Sequence, residues 1–221
     1  MLTFSECKIE KLEKMFNLKS LPVKQMPVLE MWLKTSADIL EHERIYLLAL
    51  QSYLQEHVHT WNEQELAMHF IGPIFALVQF DYQRQFTLFA ERSLEGSVNG
   101  ILMGGRPDGM IATGYREPEQ PYFCLQEYKK AKDPEGDPEA QVLAAMLVAQ
   151  EINQHQMPVY GCFVRGRSWY FMALQGQEYA TTDGYVATKA EIFDIVQILK
   201  ALKQIIIERI ISQKKVILPT A

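Results

Sequence analysis

The sequence contains few cysteines, and no two of them lie close together. Cys7, Cys124 and Cys162 are the three cysteines in 221 residues, and none belongs to a CxxC motif. A disulfide framework and a zinc site built from a cysteine cluster are therefore not expected. Because free cysteines suit a reducing compartment, we expect a cytoplasmic protein.

Long apolar runs are also missing. Residues 142–149 form one of the longest, which is far short of the roughly 20 residues that span a bilayer. The first sixteen residues, MLTFSECKIEKLEKMF, carry charges where a signal peptide has an uninterrupted apolar segment. We expect no membrane partner.

An excess of basic residues is absent. The chain has 22 Lys and Arg against 27 Asp and Glu, a net charge of −5, which excludes a basic nucleic-acid coat or a polybasic membrane binder. The 48% of apolar residues excludes a disordered chain. A chain of this length can bury its own core, and we expect residues 1–221 to form a single domain.

Helical spacing dominates the chain up to about residue 80. Leu47, Leu50, Leu54, Val58 and Trp61 form one stripe of a helix. A second helix is expected to begin at Asn62, with Glu65 completing a capping box and Pro73 kinking the helix.

From Asp81 onward, short β-rich runs alternate with glycine and proline. The predicted strands are Gln85–Ala90, Val98–Met103, Gly109–Ala112 and Tyr122–Leu125, with a turn at Glu95-Gly96. Asp137-Pro138 predicts the start of a helix that reaches about Asn153. A hairpin turning at residues 165–168 and a long final helix follow. This order is typical of an α/β fold, with a sheet flanked by helices.

Two short motifs carry the chemistry. Asp108 follows Pro107 at the start of one predicted strand, and Glu127 and Lys129 lie at the end of the next. Residues two apart on a strand share a face, and a hairpin can bring Asp108 beside Glu127. Two close carboxylates repel each other unless a cation lies between them, and hard oxygen ligands favour Mg²⁺ or Mn²⁺. The backbone carbonyl of Tyr128 is a candidate third ligand, and Lys129 would adjoin a metal-bound water.

This arrangement resembles the PD-(D/E)xK nuclease superfamily, which has the restriction-endonuclease-like fold. Pro107-Asp108 matches the first half of the motif and Glu127-x-Lys129 the second. The resemblance implies a mixed central sheet in a nuclease-like core over residues 62–174. Residues 1–61 would form a helical N-terminal extension, and residues 175–221 a C-terminal strand and helix.

The resemblance also implies the activity, a metal-dependent nuclease that acts on DNA rather than RNA. Members often carry an acidic residue on the helix before the sheet, and Glu63 matches it, pointing inward with Leu66 and Phe70. Many members carry a glutamine on the helix after the lysine, and Gln141 matches it. Lys130, Arg165 and Arg167 are candidate phosphate contacts.

Other interpretations remain open at this point. Asp108 can be a plain turn residue of Pro-Asp-Gly, and Glu127 and Lys129 can be an exposed strand pair. A nuclease-like module without catalysis that binds nucleic acid or protein is the alternative function, since six acidic residues and one basic residue lie between positions 35 and 80. The final helix carries an apolar stripe that predicts a homodimer contact: Ile192, Ile195, Leu199, Leu202, Ile206 and Ile210.

Overall fold

The computed structural model describes residues 1–131 and 136–217. Its helices are α1 (Ile9–Phe16), α2 (Pro27–Lys34), α3 (Glu41–His57), α4 (Glu63–Leu66), α5 (Gly72–Val78), α6 (Pro138–Ile152) and α7 (Glu191–Ile217). Its strands are β1 (Leu2–Thr3), β2 (Lys19–Ser20), β3 (Asp81–Tyr82), β4 (Phe86–Ala90), β5 (Leu94–Val98), β6 (Ile101–Gly105), β7 (Gly109–Thr113), β8 (Glu119–Lys129), β9 (Val159–Arg165), β10 (Ser168–Gln175), β11 (Glu178–Thr181) and β12 (Tyr185–Val186).

The strands form a large mixed sheet and a small one. Within the described residues, the large sheet has the order β2-β11-β10-β9-β8-β7-β4-β3, with β12 beside β10, and the small sheet has the order β1-β6-β5. Strands β8 and β9 run parallel, joined by α6, whereas β4, β7 and β8 are antiparallel neighbours. The expected α/β class, a mixed sheet flanked by helices, is confirmed.

Helices cover both faces of the large sheet. One face packs on a core that draws residues from α2, α3, α5 and α7. The other face packs on α6, which is buried along most of its length against the large sheet and the small sheet. Residues of α2, α3 and α7 therefore pack in one apolar layer on the sheet, whereas α1 packs in the layer of α6. No helix in residues 1–131 and 136–217 is long and apolar enough to cross a membrane.

The apolar stripe of α7 is buried within the chain. The side chains of Ile192, Ile195, Leu199, Leu202 and Ile206 are fully covered, and α7 packs against α2, α3 and α5. The expectation that this stripe binds a second copy is wrong for these five positions, because the rest of the chain already covers them. The side chain of Ile210 lies outside the described residues.

One predicted strand spans a turn. Residues 98–103 were expected to be extended, but β5 ends at Val98 and β6 begins at Ile101. Asn99 and Gly100 have φ values of 49° and 81°, the left-handed conformation that a two-residue hairpin turn requires. The turn expected at Glu95-Gly96 is also wrong, because both residues lie inside β5.

The helix expected from Asn62 is interrupted before Pro73. A π-helical segment, Ala67–Ile71, connects α4 to α5, and the N–H of Gly72 donates to the carbonyl of Ala67. Proline cannot donate to the helical ladder, and the wider turn just before it accommodates this loss. Segments of this kind occur often at functional sites.

Candidate active site at the end of the central strands

Strand pairing places Asp108 opposite Glu127. Gly109 pairs with Gln126 in the antiparallel ladder of β7 and β8, so the residue before Gly109 faces the residue after Gln126. The backbone N–H of Tyr128 donates to Oδ2 of Asp108 over 2.6 Å. Asp108 is therefore held at the end of β7 by the strand that carries the second half of the motif.

Glu127 and Lys129 share one face of β8. The Lys129 Nζ lies 2.9 Å from Oε1 of Glu127, and the two side chains are 13% and 10% exposed respectively. The interpretation of these residues as an exposed strand pair is wrong, because both side chains are mostly buried. Their spacing of two puts the ammonium and the carboxylate in direct contact.

Glu63 reaches the same site from α4. Its Oε1 lies 2.9 Å from Nζ of Lys129, and its side chain is 40% exposed. The start of α4 is fixed by the predicted capping box, in which the Glu65 N–H donates to Asn62 Oδ1 and the Asn62 N–H donates to Glu65 Oε2. The capping box therefore orients the first turn that carries Glu63.

The two strand carboxyl groups are harder to ionise than usual. Burial raises the pKa of Asp108 to about 6, against the opposing effects of the Tyr128 N–H and Lys129. Burial and the charge of Asp108 raise the pKa of Glu127 to about 7. These are the shifts expected where two carboxylates share a partly dry site without enough positive charge.

Lys129 keeps its proton in this site. Burial lowers the pKa of its ammonium, but the hydrogen bonds and charges of Glu127 and Glu63 outweigh that effect and raise it above the ordinary value. Lys129 is therefore a fixed positive charge that can orient a water or offset negative charge. It is not suited to act as a base.

The backbone and the side chain of Tyr128 have separate roles. Its N–H faces Asp108, and the neighbouring Lys129 carbonyl accepts from Gly166 on the opposite side of the strand. Because backbone groups alternate along a strand, the Tyr128 carbonyl faces the Asp108 side. The phenol lies on the other face of the sheet, where its hydroxyl donates to Gln126 Oε1. There Gly109 leaves room for both side chains, since a Cβ would lie 2.3 Å from Gln126 Oε1.

Gln141 is not joined to the site by a hydrogen bond. It lies in the second turn of α6 and is partly buried, and its side chain makes no hydrogen bond to the rest of the described chain. Its role in orienting a ligand stays a prediction.

The three candidate phosphate contacts are exposed side chains near the end of β8. Arg165 pairs in register with Lys129 across the parallel ladder, so their side chains share a face. Its guanidinium donates to the carbonyl of Gly136 over 3.0 Å. Arg167 lies on the turn between β9 and β10, and Lys130 directly follows β8. Contact of these three residues with a phosphate backbone stays a prediction.

Sequence reasoning missed Glu91. Its N–H donates to the carbonyl of Asp108 over 3.2 Å, and its carboxylate contributes to the raised pKa of Asp108. Glu91 follows β4 directly, and Ala90 pairs with Gly109. The signal lies in the pairing of β4 with β7, which no local pattern in the sequence specifies.

The donor set fits one hard divalent cation better than a larger metal centre. No group of three or more His, Cys, Asp or Glu side chains in residues 1–131 and 136–217 is arranged to hold a metal ion. Asp108 and Glu127 supply two carboxylates, and the carbonyl of Tyr128 faces the same side. Such a set leaves several positions to water, as Mg²⁺ prefers. Burial raises the pKa of both carboxyl groups even though the ammonium of Lys129 acts to lower them.

An apolar cleft opens beside these carboxylates. It has a volume of about 800 Å³ and lies between the helical segment from α4 to α5 and strand β4. Glu63 and Asp108 belong to its wall, together with Phe75, Phe86 and Tyr128. Glu63 and Asp108 therefore adjoin a cavity of the size that holds small organic groups, roughly 300–1,000 Å³.

A scan against protein-family models found no match, and a search of curated proteins found no similar sequence. The function is therefore inferred from the site itself.

Proposed function

We propose that this protein is a metal-dependent phosphodiesterase that cleaves DNA, with the site organisation of the PD-(D/E)xK nucleases. The observation that carries the proposal is the meeting of Asp108, Glu127 and Lys129 at the end of two paired strands. Glu127 and Lys129 are in direct contact. Asp108 accepts a hydrogen bond from the backbone N–H of Tyr128, which lies between them, and its charge raises the pKa of Glu127. A mixed sheet flanked by helices is compatible with the restriction-endonuclease-like fold.

Asp108, Glu127 and the carbonyl of Tyr128 would hold Mg²⁺ or Mn²⁺. The cation would supply an activated water at neutral pH and a Lewis acid for the phosphoryl group. Lys129 stays protonated, so it would orient the water and offset the negative charge that builds on the phosphate. Glu63 holds the ammonium of Lys129 in place through its 2.9 Å contact.

The two strand carboxyl groups should make metal binding and cleavage depend on pH. A cation competes with protons for Asp108 and Glu127, whose pKa values are raised to about 6 and about 7. Metal binding and cleavage should therefore strengthen as the pH rises from 6 to 8.

A binding module without catalysis is the second candidate. The observation that favours it is the position of the Lys129 ammonium, which contacts both Glu127 and Glu63 and so supplies positive charge without a metal ion. The net charge of −5 points the same way, because it opposes the approach of a phosphate backbone.

The deciding experiment measures cleavage and metal binding on the same preparations. Labelled single-stranded and double-stranded oligonucleotides are incubated with Mn²⁺, Mg²⁺ or EDTA, and Mn²⁺ binding is followed by calorimetry. Asp108→Asn and Glu127→Gln should lose both activities, whereas the exposed control variants Asp183→Asn and Glu178→Gln should keep them. Metal binding without cleavage of either oligonucleotide would favour the binding module, and no metal binding at all would reject the site.

A further inference from the structure

The cleft follows the outer edge of strand β4. Five successive residues line it, Thr87, Leu88, Phe89, Ala90 and Glu91. Because successive residues of a strand point to opposite faces of the sheet, a cavity that touches all five lies along the edge of the strand. Ala90 is exposed there, and Leu88 is half-buried.

The backbone of β4 presents hydrogen-bonding groups along this edge. The N–H of Glu91 donates to the carbonyl of Asp108, and in an antiparallel ladder every second residue bonds to the same neighbour. The N–H and carbonyl groups of Leu88 and Ala90 therefore face away from β7. Strand β3 covers this edge only at the first two residues of β4, and no other strand in residues 1–131 and 136–217 pairs with it. The edge beside Ala90 is open to a new strand.

The helical segment from α4 to α5 lies on the other side of the cleft. Several of its lining residues are small: Ala67, Gly72 and Ala76. Leu88 packs against the apolar core that contains Phe75 of α5. Residues opposite each other on paired strands point to the same face, so side chains opposite Leu88 and Ala90 would point toward that core. A strand in the cleft therefore needs apolar residues at these two positions.

The charge of the cleft restricts the partner further. Four carboxylates and one guanidinium line it, from Glu63, Asp81, Glu91, Asp108 and Arg84. Glu91 is exposed and directly follows the open edge. Opposite charges that face each other across two strands attract, and like charges repel. The residue opposite Glu91 is therefore expected to be a Lys or an Arg.

We propose that an extended segment of a partner protein adds to the edge of β4 in this cleft as a new antiparallel strand. Strand β3, on the same edge, is antiparallel to β4, and the new strand would continue its line. In its own direction the segment carries a basic residue opposite Glu91, an apolar residue opposite Ala90, any residue opposite Phe89 and an apolar residue opposite Leu88. Backbone pairing supplies affinity and the alternate side chains supply specificity. This inference goes beyond the proposed phosphodiesterase and does not depend on it.

A second copy of this chain fits the edge less well than a basic segment does. Its β4 would bring its own β3 and its own carboxylates to the cleft. The carboxylates of the two copies would repel each other, and each β3 would shorten the edge that is left for pairing. The charge of the cleft therefore favours a different protein as the partner.

The first test uses the capped peptide acetyl-Thr-Lys-Val-Thr-Val-Thr-amide, in EDTA and without nucleic acid, so that the result does not depend on cleavage. Binding is followed by NMR titration of the amide shifts of residues 88–91. The same peptide with Glu in place of Lys should bind about tenfold more weakly, because attraction to Glu91 becomes repulsion. Equal binding of the two peptides would overturn the proposal.

Two methylated peptides test the backbone pairing. N-methylation of the first valine removes the N–H that would donate to the carbonyl of Ala90, and it should weaken binding at least tenfold. N-methylation of the threonine between the valines is the matched control, since that N–H points away from β4, and this peptide should bind as its parent does. Equal effects of the two methyl groups would overturn the strand pairing.

Variants of the protein test the same edge. Ala90→Pro removes the outward N–H and leaves the bonds between β4 and β7 in place, so it should weaken binding of the parent peptide at least tenfold. Ala90→Thr keeps the N–H and should bind normally. If Ala90→Pro does not fold, Glu91→Lys tests the charge alone, because it should prefer the Glu peptide to the Lys peptide.

Three results with these variants would overturn the proposal. The first is unchanged peptide binding by a folded Ala90→Pro, and the second is an unchanged preference in Glu91→Lys. The third is a dimer, detected by light scattering, that Ala90→Pro dissociates, because a second copy would then be the occupant of the edge.

Discussion

The ammonium of Lys129 lies 2.9 Å from the carboxylate of Glu63, although 66 positions separate the two residues. Glu63 belongs to the first turn of a helix before the sheet, and Lys129 is the last residue of a central strand. This contact joins the helical layer to the strand end that carries Asp108 and Glu127. It also explains why Lys129 remains protonated in a partly buried site.

Replacing Lys129 should remove cleavage without unfolding the protein. Lys129→Met takes away the charge that offsets the developing negative charge, and we expect a loss of about 100-fold or more in the single-turnover rate with Mn²⁺. Glu63→Gln should cost less, because the amide oxygen still accepts from Lys129. Lys14→Met, at an exposed position on α1, serves as the control. Equal losses in Lys129→Met and Glu63→Gln would contradict the different roles given to these residues.

The stability of the protein without metal should fall as the pH rises through the titration of the two strand carboxyl groups. Their pKa values in the folded chain are raised to about 6 and about 7, above the unfolded values near 4. Between about pH 4 and pH 7 the folded state therefore binds more protons than the unfolded state, and deprotonation weakens folding.

Asp108→Asn tests this dependence. The amide oxygen can still accept from the Tyr128 N–H, while the buried charge is gone. We expect the free energy of unfolding to rise by about 1–3 kcal/mol at pH 8 and by less at pH 5, measured by urea denaturation in EDTA. Asp183→Asn should show no such difference. An increase of the same size at both pH values would contradict the assignment of the shift to Asp108.

A second buried ion pair stabilises the contact between α3 and α7. Nζ of Lys200 lies 2.7 and 2.6 Å from the two carboxylate oxygens of Glu43, and the Glu43 side chain is 9% exposed. Burial acts to raise the pKa of Glu43, but the hydrogen bonds from Lys200 and the Leu40 N–H outweigh it, and the net pKa is lowered. The pair therefore stabilises the fold at pH values above the pKa of Glu43 in the unfolded chain. This contribution is lost as the pH falls through the lowered pKa of Glu43 in the folded chain.

Lys200→Met should leave the Glu43 charge buried and unpaired. We expect a loss of about 3 kcal/mol in the free energy of unfolding at pH 7, and a smaller loss near pH 4, where Glu43 takes up a proton. Chemical denaturation at the two pH values measures both, with Lys14→Met as the exposed control. A loss that does not change with pH would show that packing, and not charge, dominates this position.

Arg167 should contribute to the binding of DNA through a phosphate. It is exposed on the turn beside the end of β9, close in sequence to Arg165, which shares a face with Lys129. Arg167→Ala should weaken binding equally for all sequences and reduce the slope of log affinity against log salt by about 0.9 on duplex DNA. Fluorescence anisotropy in Ca²⁺ at several salt concentrations measures the slope, and Lys14→Ala provides the comparison. An unchanged slope would remove Arg167 from the interface.

Local patterns predicted the elements that local chemistry controls. The capping box at Asn62 and Glu65, the helix that starts after Asp137 and the hairpin turning near Gly166 were readable, because each depends on residues a few positions apart. The hairpin of β5 and β6 was missed because apolar residues flank Asn99-Gly100, and the run was interpreted as one strand. The positive φ values of Asn99 and Gly100 form the turn between the two strands. The apolar stripe of α7 was visible, but its partner was not, since periodicity does not say which surface covers a helix.

The sequence by itself determined the chemical groups of the candidate site, their order, and the shared face of Glu127 and Lys129, because side chains two apart on a strand always point to the same side. The tertiary structure alone decided that Asp108 lies opposite Glu127, that Glu63 and Glu91 join them, and that an apolar cleft opens at their side. These relationships depend on how β4 and β7 pair with β8 and how α4 packs against the strand end. Such contacts join residues far apart in the chain, and their free energy comes from packing and burial that no short segment of sequence contains.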